Sequence, residues 1–121
     1  MAIIRILLAE DEEAMRTYLS RALENAGYSV VAVDRGTAAV PLLEREHFDL
    51  LLSDIVMPEM DGIELARRAT ELDPDLKVMF ITGFAAVALN ADSKAPKDAK
   101  VLSKPFHLRD LVDEVNKLLA A

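Results

Sequence analysis

Apolar and polar positions along the chain follow two different spacings, which predict a series of strands and helices. Short apolar runs end near Ala9, Asp54 and Thr82, and they lack the polar alternation of a half-exposed strand. Such runs are typical of strands buried on both faces of a parallel sheet. The pattern predicts strands at 3–9, 28–33, around 50–52, 77–82 and 101–103, and helices over about 15–26, 36–46, 62–72 and 107–119.

Local signals refine these elements. Gly27 follows the first helical pattern, as a residue that ends a helix does, and Asp61 is suited to cap the third helix. Pro41 lies inside the second pattern, so we expect that helix to start late, with Pro41 in its first turn, or to be kinked there. In the first helix, the spacing assigns Tyr18 to the buried face and Arg16 to the polar face.

The order of the elements predicts the fold class. Strands alternate with helices throughout, which indicates a parallel sheet with right-handed crossovers and helices on both faces. Between the fourth and fifth strands, residues 85–89 fit a short helix, and the residues after them show no apolar periodicity. We therefore expect an α/β domain spanning residues 1–121, with a short or irregular fourth helix.

Composition excludes several classes of function. The 121 residues include 21 acidic and 14 basic ones, a net charge of −7 that argues against a nucleic-acid partner. Cysteine is absent, which excludes disulfides and thiolate metal sites. Arg5 and the acids from Glu10 onward interrupt the apolar start too early for a signal peptide. No apolar run is long enough for a membrane helix. These features predict a soluble, cytoplasmic protein with no membrane partner.

Polar side chains follow four of the predicted strands. Glu10 and Asp11 come after the first strand, Asp54 after the third, Thr82 ends the fourth and Lys104 follows the fifth. The carboxyl ends of parallel strands share one edge of a sheet, where α/β folds bind ligands. Crowded carboxylates repel each other unless a cation neutralises them, and hard oxygen ligands suit Mg²⁺.

These groups together are the parts needed for phosphoryl transfer to an aspartate. A carboxylate nucleophile, a Mg²⁺ site, a lysine and a hydroxyl can bind and transfer a phosphoryl group. Each residue also has a simpler interpretation: Asp54 could only cap the following turn, and the acids at 10–11 could only favour a helix N-terminus. A dinucleotide site is disfavoured, because acids stand where a glycine-rich loop would follow the first strand.

Four motifs, in order along the chain, point to one family. They are Leu7–Asp11, Ser53–Gly62, Ile81–Gly83 and Ser103–Phe106. With them, the chain resembles the receiver domain of two-component response regulators from Ile3 to the last helix. The resemblance implies a flavodoxin-like (CheY-like) doubly wound sheet of five parallel strands in the order 2-1-3-4-5.

The resemblance also implies roles for the site residues. Asp54 would accept the phosphoryl group from a histidine kinase or a histidine phosphotransfer protein. Mg²⁺ would be held by Glu10, Asp11, Asp54 and the backbone carbonyl of Val56. Lys104 and the Thr82 hydroxyl would bind the phosphoryl group, and the Lys104–Pro105 peptide is often cis in this family. Such a domain catalyses its own phosphorylation and dephosphorylation but is not a conventional enzyme.

The chain departs from the family pattern at several positions. Glu10 stands where aspartate is commoner, and Val101 stands where an aromatic residue usually rotates as a switch. The fourth helix also lacks the usual pattern and carries Pro96, so we expect a change in its order, over residues 84–100, to act as the switch. Val56 and Phe84 are apolar at positions that flank the path of the hydrolytic water, which predicts slow self-dephosphorylation.

The output of such a domain leaves several alternatives. The chain ends in Leu119-Ala120-Ala121 and looks similar to the short regulators of the CpdR type, which implies a phosphorylation-controlled adaptor for an AAA+ protease such as ClpXP, active when unphosphorylated. The rivals are a phosphate sink, a Mg²⁺-dependent phosphohydrolase and an interaction module that takes no phosphate. Ile55 and Val56 argue against the phosphohydrolase, which usually needs a second carboxylate just after the nucleophile.

Overall fold

A parallel five-stranded sheet in the order β2-β1-β3-β4-β5 forms the centre of the domain. The computed structural model describes residues 3–82 and 99–120. The strands are β1 (Arg5–Ala9), β2 (Ser29–Val33), β3 (Leu50–Asp54), β4 (Lys77–Thr82) and β5 (Lys100–Ser103). The predicted sheet and its strand order are therefore confirmed.

Four helices among the described residues connect or follow the strands. They are α1 (Glu13–Asn25), α2 (Gly36–Arg45), α3 (Gly62–Leu72) and α4 (Leu108–Ala120). The predicted helix at 85–89 and the loop after it lie outside the described residues. None of the described helices is both long and apolar enough to cross a lipid bilayer.

The core lies on both faces of the sheet, because each buried strand alternates its side chains between them. On one face, Leu7, Leu51 and Phe80 pack against α2 and α3. On the other, Leu8 and Leu52 belong to a cluster with residues of α1 and α4. The residues of β3 are all buried, as its unbroken apolar run predicts.

Two helix ends form as their sequence signals predict. Gly27 has a φ of 100°, the left-handed conformation that glycine adopts without steric cost, and it follows α1. Asp61 caps α3, since its Oδ1 accepts a hydrogen bond of 2.8 Å from the amide of Glu64. The cap formed by Asp61 fixes where α3 begins after the loop that follows β3.

Two local expectations were not met. The second helix does not start late with Pro41 in its first turn: it begins at Gly36, as the apolar pattern predicts, and continues through the proline, while a kink at Pro41 stays a prediction. Gly36 and Ala39 are buried in this first part, so their packing holds the residues before Pro41 in the helix. Tyr18 is not buried either, since 58% of it is exposed, whereas Leu19 and Leu23 form the buried face of α1. The apolar stripe of α1 is narrower than its sequence suggests.

Candidate functional site

The carboxyl ends of four neighbouring strands bring the predicted site residues together. In the sheet register, Asp54 of β3 pairs with Ile81, next to Thr82 at the end of β4. Thr82 in turn pairs with Ser103, which precedes Lys104. Glu10 follows β1 directly and lies on the other side of Asp54. Residues that are far apart in the sequence therefore share one edge of the sheet.

Asp54 lies at the centre of this site. Its side chain is almost wholly buried, and its Oδ2 accepts a hydrogen bond of 3.0 Å from Lys104 Nζ. Its Oδ1 accepts a longer one, 3.3 Å, from the amide of Val56. The turn-capping interpretation is thus correct for one oxygen, while the other oxygen faces a cation from a distant strand.

Three carboxylates converge beside that lysine. Each of Glu10, Asp11 and Asp54 has an oxygen within 4.8 Å of an oxygen of the other two. Glu10 is fully buried, whereas Asp11 is exposed to solvent. Neither carboxylate oxygen of Glu10 accepts a hydrogen bond, and its nearest described cation, Lys104 Nζ, lies 3.6 Å from Oε1. Glu10 is therefore a buried acid whose charge is poorly compensated.

The electrostatics of the site follow from this crowding. Burial raises the pKa of Glu10 from 4.5 to about 8; the adjacent Asp54 raises it further, while the charge of Lys104 opposes the shift. Burial lowers the pKa of Lys104, but its hydrogen bond with Asp54 and the charges of both acids outweigh this and raise it overall. The lysine is therefore held as a cation between two acids.

The donor set fits a hard divalent cation. Oxygen ligands from several carboxylates suit Mg²⁺, and the two unpartnered oxygens of Glu10 are the kind of buried acceptors that a metal ion would satisfy. Glu10, Asp11 and Asp54 can reach one ion together. Val56 lies two residues after Asp54 in the chain, and its carbonyl remains a predicted ligand.

Main-chain contacts between β4 and β5 position the lysine. The amide of Lys104 donates a hydrogen bond of 2.7 Å to the carbonyl oxygen of Thr82. The Lys104–Pro105 peptide is cis, as the family resemblance implies. Thr82 is fully buried. These contacts place Lys104 and Thr82 on the side of Asp54 opposite to β1.

The loop after Asp54 returns very close to β3. The amide of Gly62 donates a hydrogen bond of 2.8 Å to the carbonyl of Ile55. A Cβ atom added at Gly62 would lie 2.0 Å from the carbonyl oxygen of Asp54, so only glycine fits there. Glu59 adopts a φ of 69°, and its carboxylate lies 3.6 Å from Arg35 at the start of α2. The loop that contains Val56 is thus closely packed at its far end.

An apolar cleft adjoins the polar site. It encloses about 540 Å³ between α1 and the segment that links β5 to α4. Its lining residues are Met15, Tyr18, Lys104, Pro105, Phe106 and Leu108. Lys104 belongs to both the cleft and the polar site, so the two adjoin at this lysine.

Comparison with known proteins identifies the family. A family model described as the response regulator receiver domain matches residues 6–116. The chain belongs to this family. The response regulator receiver protein CpdR of Brucella abortus (strain 2308) is 72% identical over 117 residues, which are 97% of this chain and 98% of that protein. The chain is therefore the receiver domain of a two-component response regulator.

Solved receiver structures share the fold. The crystal structure of a response regulator receiver protein from Sinorhizobium medicae has a TM-score of 0.90 at 33% identity, covering 98% of this chain and 96% of that one. The Thermotoga maritima response regulator TrrA, solved in complex with Mg²⁺ and BeF, has a TM-score of 0.85 at 28% identity. That match covers 96% of this chain and 99% of TrrA.

One residue near the receiver site was not predicted from the sequence to contact it. Helical spacing assigned Arg16 only to the polar face of α1, but its Nη1 donates a hydrogen bond of 3.0 Å to the carbonyl of Glu10. The sequence did offer one signal for this contact, because Arg16 lies one turn into the helix that follows the two acids. Periodicity separates buried from exposed faces and does not show that a long side chain reaches back to the preceding loop.

Proposed function

We propose that the chain is a cytoplasmic, stand-alone response regulator, a receiver domain over residues 1–121 that accepts a phosphoryl group on Asp54. The main support is the contact of Asp54 with Lys104 beside the acids at 10–11. The stand-alone character is supported by the match to CpdR, which covers 98% of that protein.

The acids of the site would hold the metal ion. Glu10, Asp11, Asp54 and the Val56 carbonyl are the proposed ligands of Mg²⁺. When bound, the ion would neutralise the charge of the phosphoryl oxygens. The presence of Mg²⁺ and BeF on the related TrrA supports this assignment. Metal binding would also replace the proton that the buried Glu10 otherwise retains.

The transfer itself needs few protein groups. A carboxylate oxygen of Asp54 attacks the phosphorus of a phosphohistidine on a kinase or a phosphotransfer protein. The new O–P bond gives an acyl phosphate, while the P–N bond breaks and its electron pair stays on the imidazole nitrogen. Lys104, now 3.0 Å from Asp54, would pair with the phosphoryl oxygens, and the Thr82 hydroxyl would donate to another.

The donor is expected to be a protein. The apolar cleft beside Lys104 would offer a surface for a docked phosphodonor, with Tyr18 exposed at its wall. The receiver would contribute the acceptor and the electrostatic groups, and the partner would contribute the phosphohistidine. This self-catalysed step distinguishes the receiver from a conventional enzyme.

Intact mass spectrometry tests the chemistry. The protein is incubated with a small acyl phosphate, with Mg²⁺ or with EDTA, and compared with Asp54→Asn. We expect one phosphoryl adduct that needs both Mg²⁺ and Asp54. An adduct on Asp54→Asn would show that a residue other than Asp54 accepts the phosphoryl group. If the wild-type protein formed no adduct with this donor or with a cognate kinase, the interaction module that takes no phosphate would be favoured.

The proposed output is a phosphorylation-dependent protein contact, with ClpXP as the candidate protease partner. The support is the likeness to CpdR and to the regulators of that type. Purified ClpX should bind the immobilised unphosphorylated protein and be released when Asp54 is phosphorylated, with Asp54→Asn as a control that cannot respond. If ClpX bound neither form, the adaptor role would be excluded. The phosphate-sink role would be favoured if the protein also drained a phosphorylated donor.

A further inference from the structure

Arg16 connects α1 to the loop that contains the acids. It is half-buried in the first turns of the helix, and its Nη1 reaches back to the residues that follow β1. This atom lies 3.0 Å from the carbonyl oxygen of Glu10 and 3.5 Å from that of Asp11. Hydrogen bonds from a charged donor are stronger than neutral ones. One guanidinium therefore binds the main chain of both acids.

The main chain of Glu10 is held on both sides. Its amide donates a hydrogen bond of 3.1 Å to the carbonyl of Val33 in β2, and its own carbonyl accepts from Arg16. The carboxylate oxygens of Glu10, by contrast, accept no hydrogen bond. The direction of this carboxylate therefore depends on its backbone and packing and not on polar partners of its own.

The start of α1 lacks a side-chain N-cap hydrogen bond. Its N-cap residue, Glu12, makes no capping hydrogen bond with its side chain. A cap would normally fix the turn that leads into the helix. Among the described residues, the hydrogen bonds from Arg16 are the side-chain contacts that fix the carbonyls of this turn.

We propose that Arg16 is a positioning residue for the metal site, which holds the backbone of Glu10 and Asp11 so that both carboxylates can bind one ion. The inference rests on the proposed function, because it concerns the same Mg²⁺ ligands. It extends that function to a residue that touches neither the metal nor the phosphoryl group. Outer contacts of this kind typically change metal affinity by 10–100-fold when they are removed.

The sign of the effect separates positioning from simple electrostatics. Arg16 is a cation near a cation site, so removal of its charge alone would tighten Mg²⁺ binding. Loss of the two carbonyl contacts would instead let the acids move apart and would weaken binding. We expect the Mg²⁺ dissociation constant of Arg16→Met to rise about tenfold. Phosphorylation of Asp54 should then need more Mg²⁺ but reach a similar rate at saturation.

The test is calorimetric titration of the metal-free protein with Mg²⁺ at fixed pH and ionic strength. Arg16→Met and Arg16→Lys are compared with the wild-type protein. The matched control is Arg21→Met, which removes the same charged group from an exposed position on the same helix. Thermal denaturation in EDTA reports whether each variant is folded. If Arg16→Met does not fold, Arg16→Lys decides, with an expected loss of several-fold in affinity.

Each outcome has a defined meaning. Weaker binding by the Arg16 variants, with Arg21→Met unchanged, supports the inference. Unchanged or tighter binding by the Arg16 variants overturns it, and so does an equal loss in Arg21→Met. These results leave the proposed function intact as long as the wild-type protein binds Mg²⁺ and is phosphorylated at Asp54. A wild-type protein that bound no Mg²⁺ would overturn both.

Discussion

Replacement of Glu10 by glutamine is expected to stabilise the metal-free protein at alkaline pH, although Glu10 belongs to the proposed metal site. The carboxyl group is fully buried and its oxygens have no hydrogen-bond partner. Burial therefore raises its pKa from 4.5 to about 8, with Asp54 adding to the effect. An ionised Glu10 destabilises the folded state, and glutamine removes that charge at similar size.

The sign of the pH dependence follows from proton binding. Between pH 4.5 and about 8 the folded protein holds a proton on Glu10 that the unfolded chain has released. The free energy of unfolding therefore falls as the pH rises through this interval. At 1.36 kcal/mol per pKa unit, the interval corresponds to at most about 5 kcal/mol. Because a buried glutamine amide without a partner itself costs about 1–3 kcal/mol, we expect the gain of Glu10→Gln to be smaller, about 1–3 kcal/mol at pH 8.5.

Urea denaturation in EDTA measures this effect. Circular dichroism is the suitable signal, because the chain has no tryptophan. The two proteins are compared at pH 4.5 and pH 8.5, with Glu12→Gln as the control for loss of an exposed neighbouring charge. The advantage of Glu10→Gln should be large at pH 8.5 and small at pH 4.5. The reasoning is refuted if the variant is less stable than the wild type at pH 8.5, or if the difference is the same at both values.

Addition of Mg²⁺ should narrow the difference in stability between the two proteins. A ligand that binds only the folded state adds about 1.4 kcal/mol when its concentration is tenfold above the dissociation constant. The wild-type protein should gain this stability, whereas Glu10→Gln, which has lost one anionic ligand, should gain less. An equal gain in both proteins would remove Glu10 from the list of metal ligands.

Three further predictions concern other positions. Gly62→Ala should lower the free energy of unfolding by about 2–4 kcal/mol, because its Cβ would meet the carbonyl oxygen of Asp54. Gly27→Ala should lower it by only about 1–2 kcal/mol, from backbone strain alone. Equal losses of the two variants in urea denaturation would contradict the steric explanation. Asp61→Ala should cost about 1 kcal/mol in the same assay and Asp61→Asn much less, since asparagine also caps helices. Lys104→Met should slow phosphorylation, followed by intact mass, about a hundredfold at saturating Mg²⁺; loss of Mg²⁺ binding instead would indicate a different role.

The candidate site could be predicted because its residues follow directly after apolar strands. A strand buried on both faces is recognised from its composition, and the carboxyl ends of parallel strands always share an edge. The sequence therefore indicated that Glu10, Asp54, Thr82 and Lys104 come together. It could not indicate that Lys104 reaches Asp54 at 3.0 Å while Glu10 keeps both its oxygens unpartnered. Those distances depend on side-chain conformations at three different strands.

The two expectations that the structure overturns, a late start of α2 and a buried Tyr18, share a physical cause. Pro41 favours a helix start, but burial of Gly36 and Ala39 extends α2 before it. Tyr18 has an apolar ring at a helical spacing, yet the neighbouring segment after β5 leaves it at the wall of an open cleft. In both cases the local preference is of the order of a few kcal/mol or less, and packing against distant residues outweighs it.

The sequence by itself determined the class of this protein: the alternation of strands and helices, the strand ends at which the polar residues lie, and the family to which the motifs belong. These properties depend on periodicity and on residue types that are adjacent in the chain. Only the tertiary structure decided that Glu10 is buried without a partner, that Lys104 lies between two acids, and that Arg16 binds the backbone of the acidic pair. Such contacts join residues from separate elements, and their energies depend on burial and distance, which exist only after the chain has folded.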